Sequence, residues 1–363
     1  MPGNIREEND KVYIDGVPRF TYEIEKDSFI QALRTVAHSL GSEVSYHLLK
    51  GVSAAGFRLM FHEAWCRYTP DATRGFDHTP LAFEALGFQF LTKEMALTDQ
   101  KSIGELRTTV VHSIKGGYPV MAIRLMQWED WGVIVGYRLD SEKFICRTPH
   151  DRSDDFSENT HWPWLILMIS SEKEIPDRKV SVTKSLNTAI ELFETEKFGH
   201  YYSGKAAYKY WIAGLKQQEI YDHLEQERGN ISYNHWVAEI RNEAYSGDYE
   251  DSGPGAHEYL ERAHVNAWRY VSLIDARREA AKYLKEVSSL FGSESAINLV
   301  KAGNLYGEGY ELLRDAKQLV PSEWDLERNN WTQDKRYSQV RVLEQVLSLE
   351  EGAIECIKDI LGK

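Results

Sequence analysis

Residues 128–151 read WEDWGVIVGYRLDSEKFICRTPHD. The continuous apolar, β-branched run from Gly132 to Tyr137 predicts a strand. Leu139 to Glu142 is polar and turn-like, and Phe144 to Arg147 predicts a second strand paired to the first. Thr148-Pro149 closes the segment, because proline cannot continue a central ladder. This hairpin anchors the reading of the first half of the chain.

Working outward, Val12 to Ile14, the Asp15-Gly16 turn pair and Pro18 to Tyr22 predict a short hairpin. Asp27 or Ser28 caps a helix that runs to about Leu40, with Gly41 after it. Phe29, Leu33, Val36 and Leu40 share one face of that helix. A second helix is predicted over Val52 to His62, a loop over Tyr68 to Thr79, and a short helix over Leu81 to Leu86. Phe88 to Thr92 predicts a strand, and Ile103 to Ile114 an amphipathic helix stopped by Gly116-Gly117. Further strands are predicted at Pro119 to Leu125 and Trp164 to Ile169.

The polar segment Ser171 to Lys179 marks a domain boundary. Beyond it, a 3.6-residue periodicity predicts helices over Ser181–Phe193, Lys205–Glu227, Asn234–Tyr245, Ala256–Phe291, Ser293–Leu319 and Lys335–Leu361. A loop is predicted at Ser246–Gly255. The expected fold class is therefore α+β over residues 1–170, followed by an all-α helical bundle over 180–363.

The chain has 363 residues, 42% of them hydrophobic, enough for a substantial core in each domain. A formal net charge of -13 repels phosphate backbones, so nucleic acid is not an expected partner. The longest apolar run, Trp162 to Ile169, is too short for a membrane span, and the polar N-terminus is no secretory signal. Three widely spaced cysteines, Cys66, Cys146 and Cys356, suit reduced thiols in a cytoplasm.

Ser28 to Leu33, Gly41, Val44-Ser45-Tyr46 and Gly51 to Arg58 together resemble the N-terminal domain of the butirosin biosynthesis protein H family. Tyr202 to Tyr208 with Trp211, and Ala267-Trp268 followed by Asp275 to Arg278, resemble that family's C-terminal helical region. The resemblance implies a papain-like fold, related to bacteriocin-processing peptidases. Biosynthetic members move an acyl group from a carrier-protein thioester to an amine. The family's nucleophilic Cys falls on Ser28, or one residue earlier on Asp27. Its His falls on Asp130, and its orienting residue on Thr148.

A Cys at a helix N-terminus is activated by the dipole and a neighbouring imidazolium. A Ser there needs a base, and a carboxylate at 130 is a poor one. Ser28 serves equally as a helix cap, Asp130 as a strand-edge carboxylate and Thr148 as a strand-end hydroxyl. A second candidate nucleophile is Cys66. Were 61–66 helical, His62 and Cys66 would share a face as a thiolate–imidazolium pair. No metal site and no cofactor are expected.

Trp128 and Trp131 flank Glu129-Asp130, with Trp162 and Trp164 nearby. A carboxylate between indoles suits a cationic amine; the alternative reading is that the four tryptophans simply pack the two domains together. Asp27, His62, Trp128, Glu129 and Trp131 are thus the candidate ligand-binding residues. Three function classes are compatible with these readings. The first is a catalytically degenerate protein that binds a small amine-containing or peptide-like ligand, or a carrier protein. The second is an acyltransferase or amide hydrolase using Ser28 or Cys66, and the third a structural scaffold that forms homo-oligomers.

Overall fold

The computed structural model describes residues 2–66, 71–95, 100–126, 128–221, 258–322 and 331–363. The helix read at Asn234–Tyr245 and the loop at Ser246–Gly255 lie outside the described residues. In chain order the first elements are β1 (Ile5–Glu8), β2 (Lys11–Ile14), α1 (Ser28–Ser39), α2 (Tyr46–Val52), β3 (Met60–His62) and α3 (Thr79–Ala85). Next come β4 (Phe88–Glu94), α4 (Gln100–Lys115), β5 (Val120–Ile123), β6 (Trp131–Arg138), β7 (Phe144–Arg147), β8 (Ser157–Glu158) and β9 (Leu165–Glu172). The remainder are α5 (Arg178–Glu194), β10 (Lys197–Phe198), β11 (Tyr201–Ser203), α6 (Gly204–Leu215), α7 (Glu258–Val287), α8 (Ser293–Asp315) and α9 (Gln333–Leu361). The fold is α+β, and its chain divides into two compact units, Met1–Ser53 with Thr79–Ser181, and Ala54–His78 with Val182–Lys363.

The first unit is built on an antiparallel sheet with the strand order β1-β2-β6-β5-β9-β4, in which β7 also pairs with β6 and with β8. Strand β6 is its axis, buried from Trp131 to Tyr137. Its first half pairs with β5, its second half with β2, and β7 runs along its other side. On the β7 side the register shifts between Ile134 and Gly136. Gly136 is required there, because a Cβ would meet the Val12 carbonyl oxygen at 2.4 Å.

Helix α1 packs on β5 and β6. The single apolar face read from the sequence underestimates its burial, since Gln31, Ala32, Thr35 and Ala37 are buried along with Phe29, Leu33 and Val36. Each large apolar side chain so buried contributes about 1.5–3 kcal/mol.

Two local readings are corrected. The first hairpin is one strand earlier than read: β1 pairs with β2 through Asn9-Asp10, whose φ values of 48° and 60° provide the left-handed pair that a tight hairpin turn needs. Asp15-Gly16 only ends β2. The helix read over Val52–His62 is instead the end of α2, a turn and β3. Ala54 takes a φ of 63°, and the Gly56 and Arg58 carbonyls accept from Arg277 Nη1 at 3.0 and 3.3 Å rather than from helical amides.

The second unit has α8 packed on both α7 and α9, and α6 packed on α9. Tyr208, Trp211, Tyr270, Leu313, Leu343 and Val346 belong to its core cluster. Inside it, the wholly buried Arg277 holds the Glu350 carboxylate, which also accepts from the Tyr208 hydroxyl. Asn266 Oδ1 accepts from Trp211 Nε1 at 2.8 Å and from Gln339 Nε2 at 2.7 Å. This unit also carries a small sheet, β10-β11-β3, that its helical periodicity does not announce. Among the described residues, no helix is long and apolar enough to cross a membrane.

Candidate functional site

The N-terminus of α1 and the leading edge of β6 meet in the first unit. Asp27 is the N-cap: its Oδ1 accepts from the Ile30 amide at 3.1 Å, and its Oδ2 pairs with the buried Lys50 ammonium at 3.2 Å. Ser28, rather than Asp27, faces β6, and its Oγ accepts from the Trp131 amide at 3.2 Å.

A hydrogen-bonded chain starts at Ser28. Its hydroxyl bonds to the Tyr22 phenol, and the phenol donates to Asp130 Oδ1. Asp130 Oδ2 in turn lies 2.7 Å from His150 Nε2. Burial, followed by the Asp130 charge, holds the Tyr22 phenol well above its usual pKa. Tyr22 therefore stays protonated near neutrality and cannot act as a base toward Ser28. Asp130 is two hydrogen bonds away from Ser28, and His150 is three.

The loop that carries Tyr22 is pinned to α1. Gln31 Nε2 donates to the Thr21 and Glu25 carbonyls at 3.1 and 2.7 Å, and Arg34 grips the Glu25 carboxylate with bonds of 2.6 and 2.7 Å. The turn that carries His150 is fixed around the buried Asp151. Asp151 Oδ1 accepts from the Thr148 amide, the Thr148 hydroxyl and the Ser157 hydroxyl at 3.2, 3.0 and 3.0 Å. Its Oδ2 accepts from Arg147 Nη1 at 3.3 Å. Thr148 thus shapes the turn and does not orient a partner at 130. The side chain on Asp130 comes from His150, two residues further on.

The other expected residues separate. The Trp131 indole is 2% exposed and packs edge-on against Phe29 at 5.4 Å, so it is a core residue and not the wall of an open cleft. The Glu129 carboxylate accepts from Trp164 Nε1 at 2.8 Å and pairs with Arg124 at 3.5 Å. Trp162 packs edge-on against Phe144. Trp128 is 36% exposed.

His62 and Cys66 lie in the second unit and share no helix face. His62 ends β3, where its Nδ1 accepts from the Ala64 amide at 3.1 Å, and burial lowers its pKa. The following residue, Glu63, pairs with Lys197 and His200 at 2.7 and 2.6 Å, hydrogen bonds that hold its carboxyl at about 2. Among the described residues, no group of three or more His, Cys, Asp or Glu side chains could hold a metal ion.

Tyr22, His150 and Asp151 were not among the residues singled out from the sequence. His150 and Asp151 close the hairpin segment, and a polar pair directly after a strand-ending Thr-Pro was the available signal. Tyr22 had none, since its role depends on a loop folding back onto α1. In comparisons with known proteins, no family model matches the chain, and no curated protein matches it significantly.

Proposed function

We propose that this chain is a papain-like protein, similar to the butirosin biosynthesis protein H family, that binds a small ligand without forming a covalent intermediate on Ser28. The ligand is amine-containing or peptide-like, free or presented by a carrier protein. The chain from Ser28 through Tyr22 and Asp130 to His150 carries this reading. The Ser28 oxygen accepts an amide hydrogen and its neighbour is a protonated phenol, so no base acts on it.

Under the family alignment, the His and carboxylate have exchanged strands. The carboxylate stands at the leading edge of β6 and the imidazole follows β7. Trp128, 36% exposed and next in sequence to Glu129 and Asp130, is the residue this reading assigns to a cationic amine. A hydrolase built on Cys66 has less support, because His62 and Cys66 lack the shared helix face that motivated it. The wide spacing of the cysteines supports a reducing, cytoplasmic setting.

Thermal unfolding in the presence of spermidine and of a monoacylated diamine tests the binding reading. Ligand at a hundred times its Kd adds about 2.7 kcal/mol of stability, which raises Tm by about 5–10 °C. Trp128→Ala should remove most of that shift. A Tm unchanged by every polyamine and acyl-amine tried would contradict the proposal.

A further inference from the structure

We infer that His150, held by Asp130, is a general base that lets this site hydrolyse a small activated carbonyl compound by direct attack of water. This goes beyond the binding reading, though it rests on the same site. The geometry sets the tautomer. Nε2 faces Asp130 Oδ2 at 2.7 Å and donates its hydrogen there, which leaves the lone pair on Nδ1. Among the described residues Nδ1 has no hydrogen-bond partner, and the His150 side chain is 28% exposed.

The ring is also preorganised. Asp130 is fixed through its second oxygen by Tyr22, whose ring stands edge-on to the imidazole at 5.7 Å. The His150 amide donates to Thr148 Oγ1 at 3.3 Å, inside the turn that the buried Asp151 clamps. A group held this way needs little rearrangement to accept a proton. The two loops that carry its partners each expose an apolar side chain, Ile24 at 69% and Trp128 at 36%.

A second His–carboxylate pair provides an internal contrast. His200 Nδ1 lies 2.6 Å from Glu63, but its side chain is 77% exposed, against 28% for His150. In the proposed step, water attacks the carbonyl carbon while one of its protons passes to His150 Nδ1. The tetrahedral adduct collapses, the bond to the leaving group breaks, and the proton on Nδ1 goes to the leaving group. The products are a carboxylic acid and the protonated leaving group, a phenol or alcohol from an ester and a thiol from a thioester. Asp130 is a positioning residue that holds the tautomer and balances the transient imidazolium charge.

The test uses the full chain and para-nitrophenyl acetate near neutral pH. We expect linear product release with no burst, at least tenfold faster than free imidazole at the same concentration. His150→Gln should reduce the rate about a hundredfold or more, while His200→Gln leaves it unchanged. Long-range nitrogen–proton NMR should show the Nε2–H tautomer of His150 in the parent and its loss in Asp130→Asn.

A rate no greater than that of imidazole would overturn the inference. So would a His150→Gln variant that keeps more than half the rate, or a stoichiometric acetyl group on His150. Thermal stabilisation by an amine ligand in a protein without this hydrolysis would overturn the general base alone. An acetyl group on Ser28 would instead overturn the non-covalent binding reading.

Discussion

Asp151→Asn should destabilise the first unit by about 2–3 kcal/mol and disturb the site through His150. In the parent, Oδ1 accepts three neutral donors and Oδ2 accepts one charged donor, with the Asp151 side chain 1% exposed. Asparagine keeps an oxygen at the Oδ1 position and so retains the three neutral bonds. Its amide nitrogen would face Arg147 Nη1, a donor against a donor where the carboxylate stood at 3.3 Å. The lost charge-assisted bond is worth about 1.5–3 kcal/mol. Arg147 is not left bare, because the carbonyls of Val17, Asp154 and Asp155 still accept from it. The cost therefore falls below the roughly 3–5 kcal/mol of an abandoned buried ion. Asp151→Ala removes all four acceptor contacts and should reach that higher range. Equilibrium urea unfolding measures both, and the NMR tautomer signature of His150 reports the turn. An Asn variant within about 0.5 kcal/mol of the parent, with an unchanged His150 signature, would refute the role given to Asp151.

Glu350→Ala strands the wholly buried Arg277 guanidinium and should cost about 3–5 kcal/mol; a loss below about 1 kcal/mol in urea unfolding would contradict this. Burial raises the pKa values of Tyr208, Tyr270 and Tyr306, so their contribution is fully present below the unfolded value near 10 and is lost as pH rises through their folded values. Each should remove about 1.4 kcal/mol of stability per pH unit above about pH 10, so urea midpoints should drop steeply there and not between pH 8 and 9. Gly136→Ala places a methyl 2.4 Å from the Val12 carbonyl oxygen and should cost about 1–3 kcal/mol by forcing β2 from β6, as read by thermal unfolding. Cys146 is wholly buried, and burial pushes its thiol pKa up, so iodoacetamide should label it only after unfolding; rapid native labelling would show that β7 opens.

The sequence exposed the strands of the first unit most clearly. Phe144–Arg147 matches β7 residue for residue, and Gly132–Tyr137 falls within β6. Strands in a buried antiparallel sheet announce themselves through β-branched runs ended by turn residues. The errors arose where long-range partners decide local structure. Val52–His62 has the composition of a helix, but Arg277, more than two hundred residues away, takes the carbonyls of Gly56 and Arg58. The hairpin at Asn9-Asp10 was hidden by a polar strand, Ile5–Glu8, that is exposed throughout. At the site, Ser28 and Asp130 were legible as positions on α1 and β6. Their connection through Tyr22 was not, because no local pattern reports that Gln31 draws the Thr21–Glu25 loop onto the helix.

The most direct test of the central claim is intact-mass measurement after incubation with a small acyl thioester, followed by peptide mapping. A hydroxyl that accepts the Trp131 amide hydrogen and lies against a protonated phenol should remain unacylated, so the account predicts no adduct on Ser28. A rapid stoichiometric acyl group on Ser28, absent in Ser28→Ala, would contradict it.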